Sequence, residues 1–115
     1  MGRDKTGIII TDNSLECILN SDAIVDFSSP SSTISICELT AQARKVHVIG
    51  TTGFDQKQEK IIKSYSKKIP ILKAGNMSLG VNLLMYLTEI ASKSLNDKYL
   101  AKIFEVHHKH KKDYP

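Results

Sequence analysis

Apolar positions along the chain alternate between short unbroken runs and longer stretches at helical spacing. The short runs are Ile8-Ile9-Ile10, Ala23-Ile24-Val25-Asp26-Phe27, Val46-His47-Val48-Ile49 and Ile69-Pro70-Ile71-Leu72. Each is closed by turn or cap residues: Thr11-Asp12-Asn13, Ser28-Ser29-Pro30, Gly50-Thr51-Thr52-Gly53 and Ala74-Gly75-Asn76. Runs bounded in this way predict strands buried on both faces, which is what a parallel sheet requires. Helices are predicted between them. Residues 31–44 follow a Ser-Pro start, the arrangement favoured at a helix N-terminus. Asp55 with Gln58 three residues on predicts a capping box opening a Lys-rich helix to about Lys67. Over residues 79–95, Leu83, Leu84, Leu87, Ile90 and Ala91 form an amphipathic stripe, expected to pack into the core. Tyr99 to Val106 reads as a last strand. Strand and helix alternating in this order predict an α/β fold with a doubly wound parallel sheet. The sheet is expected to be partial, because the chain opens without a convincing first strand and stops at Tyr114-Pro115, directly after its most polar segment.

Composition narrows the class. At 115 residues the chain is one domain or a piece of one, and 41% hydrophobic with 24% charged residues is globular rather than disordered or fibrous. No apolar stretch approaches the roughly 20 residues of a membrane-spanning helix. Met1-Gly2-Arg3-Asp4-Lys5 lacks the apolar core of a secretory signal, so a cytoplasmic location is expected. Cys17 and Cys37 have neither disulfide-scaffold nor metal-site spacing and are expected as buried, reduced thiols. The net charge of +4 is unevenly spread: residues 1–55 carry four Lys/Arg against seven Asp/Glu, and residues 56–115 twelve lysines against five acids. A basic half of this kind suits an anionic ligand, a nucleic acid or simply solvated helix faces.

Candidate chemistry collects where strands end. In open α/β sheets the carboxyl-terminal strand ends face a crevice lined by helix N-termini. Asp26-Phe27-Ser28-Ser29-Pro30 brings a carboxylate, an aromatic ring and hydroxyls there. Gly50-Thr51-Thr52-Gly53 brings small residues that let backbone N–H groups approach a ligand, and Ala74-Gly75-Asn76-Met77-Ser78 adds an amide. Each is also an ordinary turn sequence; three in succession reinforce one another because the fold places them on one edge. No G-x-G-x-x-G fingerprint accompanies them. The tail Glu105-Val106-His107-His108-Lys109-His110-Lys111-Lys112-Asp113 admits four readings: a metal site, a nucleic-acid patch, a solvated basic end, or an acid/base site for an anionic substrate. It lacks zinc-ligand spacing and interleaved aromatics. Histidine titrates near neutrality, and lysine beside other cations can donate a proton.

These four segments, with Val48-Ile49-Gly50-Thr51-Thr52-Gly53-Phe54 and Ala74 through Asn82 taken in full, resemble dihydrodipicolinate reductases in order and approximate spacing. The resemblance runs from about Gly7 to the last residue. It implies a dinucleotide-binding Rossmann domain over residues 1–77 and the start of a mixed α/β substrate domain over residues 78–115. It further implies an NADH- or NADPH-dependent oxidoreductase of lysine and diaminopimelate biosynthesis, cytoplasmic and homotetrameric, that reduces a small cyclic dicarboxylate to tetrahydrodipicolinate. Carried over residue by residue, Gly50, Thr51, Thr52, Ala74, Gly75, Asn76 and Met77 would line the nicotinamide. His107 would be the acid/base residue, His108 would contact substrate, and Lys111 would donate a proton. No metal is implied.

The departures set a second expectation. The family's first Gly-rich turn has no counterpart here, and its A-P-S-G-T substrate loop is met only by Tyr114-Pro115. Met77 stands where the family often has Phe. The chain is therefore expected to resemble the middle of the enzyme, with most of the tetramer surface missing, and to be inactive alone. The alternative is a small basic module for an anionic partner such as nucleic acid.

Overall fold

A computed structural model describes residues 7, 8, 10–95, 97–107, 109 and 110. Its elements run α1 (Ser14–Leu19), β1 (Ala23–Asp26), α2 (Pro30–Gln42), β2 (Val46–Ile49), α3 (Gln56–Tyr65), β3 (Ile71–Lys73) and α4 (Leu79–Ser94). The three strands form one parallel sheet in the order β1-β2-β3. Ala23 to Asp26 pair with Val46 to Ile49, and His47, Val48 and Ile49 with Ile71, Leu72 and Lys73. This is the partial Rossmann-like α/β arrangement expected from the sequence.

Right-handed crossovers between neighbouring strands taken in one direction put their helices on one face of a sheet. The core follows that rule: Cys37 of α2, Ile49 of β2 and Ile62 of α3 form one buried cluster, with Ile34, Phe54, Tyr65 and Ile71 packed around it. Strand alternation places Ile24, Asp26, His47, Ile49, Ile71 and Lys73 on this face. The other face carries Val25, Val48 and Leu72 in one register row, with Val25 and Leu72 exposed. The buried side of α2 is Thr33, Cys37 and Thr40, spaced one and two helical turns apart. Much of this core is therefore polar.

Local chemistry sets the element ends. Ser29 caps α2 with Pro30 in its first turn. The helix closes in a Schellman motif, with Arg44 N–H donating to Ala41 O at 3.2 Å and Lys45 N–H to Thr40 O at 3.0 Å. Arg44 takes the left-handed backbone this motif needs, at φ 53°. The expected capping box opens α3: Asp55 Oδ1 accepts from Gln58 N–H at 2.8 Å, and Gln58 Oε1 from Asp55 N–H at 3.0 Å.

Several expectations need correction. Ile8 and Ile10 are exposed coil, not a strand, and Ile9 lies outside the described residues. Asn13 instead caps α1, a short helix against α2 whose buried residue is Ile18. Cys17 on α1 is exposed, while Cys37 is buried as expected. Tyr99 to Val106 forms no strand: it has no ladder partner among the described residues, and Ile103, Phe104 and Val106 are almost fully exposed. An extended apolar segment becomes a strand only when a neighbour takes its backbone hydrogen bonds. Helix α4 forms over the expected span, but it contains no buried residue, so its stripe is not core. None of the described helices is long and apolar enough to cross a membrane.

Candidate functional site

The parallel register aligns the carboxyl ends of all three strands, because Asp26 pairs with Ile49 and Ile49 with Lys73. The ladder continues into the loops: Gly50 N–H donates to Asp26 O at 2.8 Å and Ala74 N–H to Ile49 O at 3.1 Å. Residues 27–29, 50–55 and 74–78 therefore share one edge of the sheet, as expected. Gly53, at φ 83°, makes a left-handed bend that favours glycine. A Cβ at Gly53 or Gly75 would meet nothing within 4 Å, so both loops are open there. At Gly50 the reverse holds, since a Cβ would collide with Cε1 of Phe27, whose ring lies over the glycine.

The polar centre of the edge is Asp26, 3% exposed. Its Oδ1 accepts from Ser28 Oγ at 2.5 Å and Ser28 N–H at 3.0 Å, and Thr51 Oγ1 lies at 3.4 Å. Ser28 N–H also reaches Thr51 Oγ1 at 3.0 Å, joining the first loop to the second. Burial alone would raise the Asp26 carboxyl. Burial is the largest single influence, but the Ser28 hydroxyl, Thr33, the Ser28 N–H and His47 together outweigh it and hold the group below its ordinary 3.8. The Thr51 hydroxyl, expected near the nicotinamide, is directed at this carboxylate.

Behind Asp26 lies a group that the sequence reading passed over. His47 is fully buried, with Nε2 3.4 Å from Asp26 Oδ2 and Nδ1 3.4 Å from Cys37 Sγ. Burial pushes the imidazole below its ordinary 6.5 against the pull of Asp26, so it is neutral at pH 7. A proton on Nε2, facing the carboxylate, leaves Nδ1 to accept from the thiol. Cys–His–Asp order suggests a nucleophile, yet burial, with a further push from Asp26, raises the Cys37 thiol to about 11. A buried thiol of that pKa is unreactive, and the trio is structural. Its signal was present in the sequence: alternation through Val46-His47-Val48-Ile49 puts His47 on the same face as Ile49.

The third loop is internally bonded. Asn76 Oδ1 accepts from Ser78 N–H at 2.7 Å, and Asn82 Nδ2 donates to Ser78 O at 2.9 Å. Ser78 in turn caps α4, while Met77 and Thr52 stay exposed. In the tail, His107 is exposed and its Nδ1 pairs with Glu105 Oε2, a contact within its own segment. His108 and Lys111 lie outside the described residues. No group of three or more His, Cys, Asp or Glu able to hold a metal occurs among the described residues.

Comparison with known proteins decides the family. The family model described as "Dihydrodipicolinate reductase, N-terminus" matches residues 1–77, and "Dihydrodipicolinate reductase, C-terminus" matches residues 80–115. The chain belongs to the dihydrodipicolinate reductase family. A 4-hydroxy-tetrahydrodipicolinate reductase of Pelagibacter ubique is 62% identical over 109 residues, covering 95% of this chain and 42% of the relative. Enzymes of the same name from Parvibaculum lavamentivorans and Dinoroseobacter shibae are 49% and 45% identical, over 96% and 100% of this chain and 41% and 43% of theirs. The chain thus spans about two fifths of the length of these curated relatives. The resemblance read from the strand-end motifs and the tail agrees with these matches.

Proposed function

We propose that the strand-end edge is the nicotinamide-facing part of an NAD(P)H-dependent 4-hydroxy-tetrahydrodipicolinate reductase site in the cytoplasm. The observation that carries the reading is the alignment of three ligand-competent loops on one edge of a parallel sheet in a chain of this family. Open space at Gly53 and Gly75, with the Phe27 ring exposed beside them, supports a flat ring as the ligand there. The residues in contact would be Gly50, Thr52, Ala74, Gly75 and Met77, with Thr51 and Asn76 shaping their loops.

A bound dihydronicotinamide supplies the hydride. The chain supplies orientation at the strand-end edge, and the residue 78–115 domain supplies charge and a proton. Lys111 gives its Nζ proton to the electron-rich enamine carbon left when the substrate ring is reduced. His107 serves as acid/base, and His108 holds a substrate carboxylate. A dianionic dicarboxylate leaving water needs nearby cations, and this tail is the densest cationic stretch of the sequence.

Titration calorimetry tests the reading. NADH and NADPH are added to the purified chain, with and without pyridine-2,6-dicarboxylate as a substrate mimic. Saturable binding, tightened by the dicarboxylate, is expected. A folded chain, shown by circular dichroism, that binds neither nucleotide would overturn it.

A further inference from the structure

Asp26 makes no use of solvent, although it sits at the edge where a ligand would bind. Its hydrogen bond from Ser28 N–H is an ordinary local turn, of the kind aspartate makes at many strand ends. The bond to Thr51 is different, because it joins positions 25 residues apart in sequence. Ser28 N–H is shared between Asp26 Oδ1 and Thr51 Oγ1, both at 3.0 Å. The three side chains and one amide close a small triangle. One corner lies on β1, one on the loop after β1, and one on the loop after β2.

Below the triangle the core closes over the carboxylate. The second carboxylate oxygen of Asp26 faces His47 Nε2 at 3.4 Å, inside the core. Main-chain pairing of Gly50 N–H with Asp26 O, at 2.8 Å, fixes the same junction from the backbone side. The consequence is geometric. The turn from Asp26 to Ser28 directs the intervening Phe27 outward over Gly50, where only a missing Cβ leaves room for its ring.

We propose that Asp26 and Thr51 are positioning residues that clasp the loops after β1 and β2 into one rigid edge, the Thr51 hydroxyl serving as the clasp rather than as a ligand contact. The inference rests on the nucleotide reading above for what the edge binds, but the clasp itself is a property of the chain alone. The Thr51 hydroxyl meets the carboxylate at a long 3.4 Å, so the closer tie is the Ser28 N–H shared at 3.0 Å by Asp26 Oδ1 and Thr51 Oγ1, and both lie where water has little access. Pre-ordering the two loops removes a conformational cost that a ligand would otherwise meet on binding.

Thr51→Val and Thr51→Ser separate the clasp from mere folding. Valine keeps the volume and removes the hydroxyl; serine keeps the hydroxyl. Amide hydrogen exchange on the free chain reads the loops, and NADH titration reads the site. For Thr51→Val we expect exchange at least tenfold faster at Ser28 and residues 50–53, with Cys37 and Ile49 unchanged, and NADH binding about tenfold weaker. Thr51→Ser should restore both. Asp26→Asn, which keeps an acceptor oxygen, should fall between wild type and Asp26→Ala. Equal exchange in wild type and Thr51→Val overturns the clasp, as does saturable NADH binding by the wild type that is equally tight in that variant. A wild-type chain that binds no NADH, but whose loops loosen in Thr51→Val, sinks the nucleotide reading and leaves the clasp standing.

Discussion

The segment from Ala23 to Lys73 and the helix from Leu79 to Ser94 both carry apolar residues at regular spacing, yet only the first buries them. Ile49 is fully buried between α2 and α3, whereas Leu84 on α4 is 63% exposed. Both helices α3 and α4 are capped, so the difference is not in local helix chemistry. It lies in whether an element has a second layer against it. An amphipathic stripe states what a helix is able to bury; the partner decides whether it does.

The largest expected break in this comparison comes from truncating each side once. Ile49→Ala should lower unfolding stability by about 2–5 kcal/mol, the usual range for a fully buried aliphatic side chain. Leu84→Ala should change it by less than about 0.5 kcal/mol, as surface substitutions do. Urea unfolding followed by circular dichroism checks both. Equal losses at the two positions would mean that α4 is packed as firmly as the sheet.

Thiol chemistry draws the same line with a different probe. Raising Cys37 from 9.0 to about 11 lowers its thiolate fraction at neutral pH roughly 100-fold, before burial blocks access. A disulfide reagent should label exposed Cys17 at once and Cys37 only as the β/α core opens. Labelling of Cys37 should therefore accelerate in Ile49→Ala and not in Leu84→Ala. Rapid labelling of both thiols in the wild-type chain would contradict a closed core.

Three groups of the buried region, His47, Asp26 and Cys37, give the chain a pH response. Burial holds His47 below 6.5, so the unfolded chain takes up that proton first as pH falls. Stability is then full above 6.5 and lost as pH drops through the lower folded value. Asp26 acts in the same direction below 3.8. Cys37 acts in the opposite one: its contribution is full below 9.0 and disappears as pH rises towards about 11. Urea midpoints should accordingly be highest between these windows. His47→Leu should remove the shoulder that begins just below 6.5; a shoulder of undiminished size would assign it to another group.

The sequence made the outer skeleton legible and the interior much less so. Asp55-Gln58, Ser29-Pro30 and the strand-end glycines each act through local backbone chemistry, which a single segment displays in full. The core of α2 did not stand out, because Thr33 and Thr40 are not hydrophobic and their burial depends on the rest of the fold closing over them. His47 was hidden by its apolar neighbours in Val46-His47-Val48-Ile49. Tyr99 to Val106 failed for the converse reason: its pattern suits a strand, but a strand is defined by a neighbour that local sequence does not contain. At the candidate site, the loops and their shared edge could be read directly, while the aim of the Thr51 hydroxyl at Asp26 required the register between β1 and β2.

The smallest effect is the most discriminating, because it compares like with like. Asp55 caps α3 and Ser78 caps α4, each through a side-chain oxygen accepting a backbone N–H three residues on. Removing either with alanine should cost its helix about 1 kcal/mol. For α3 the loss must appear in global stability, since the helix carries Ile62 into the cluster with Cys37 and Ile49. For α4, which buries nothing among the described residues, it should appear only as local fraying. Asp55→Ala should thus shift the urea midpoint and speed exchange throughout β2. Ser78→Ala should speed exchange at residues 79–82 and leave β2 as it was. A β2 response to Ser78→Ala would show that the two regions unfold together, and the contrast between them would then be one of exposure without independence.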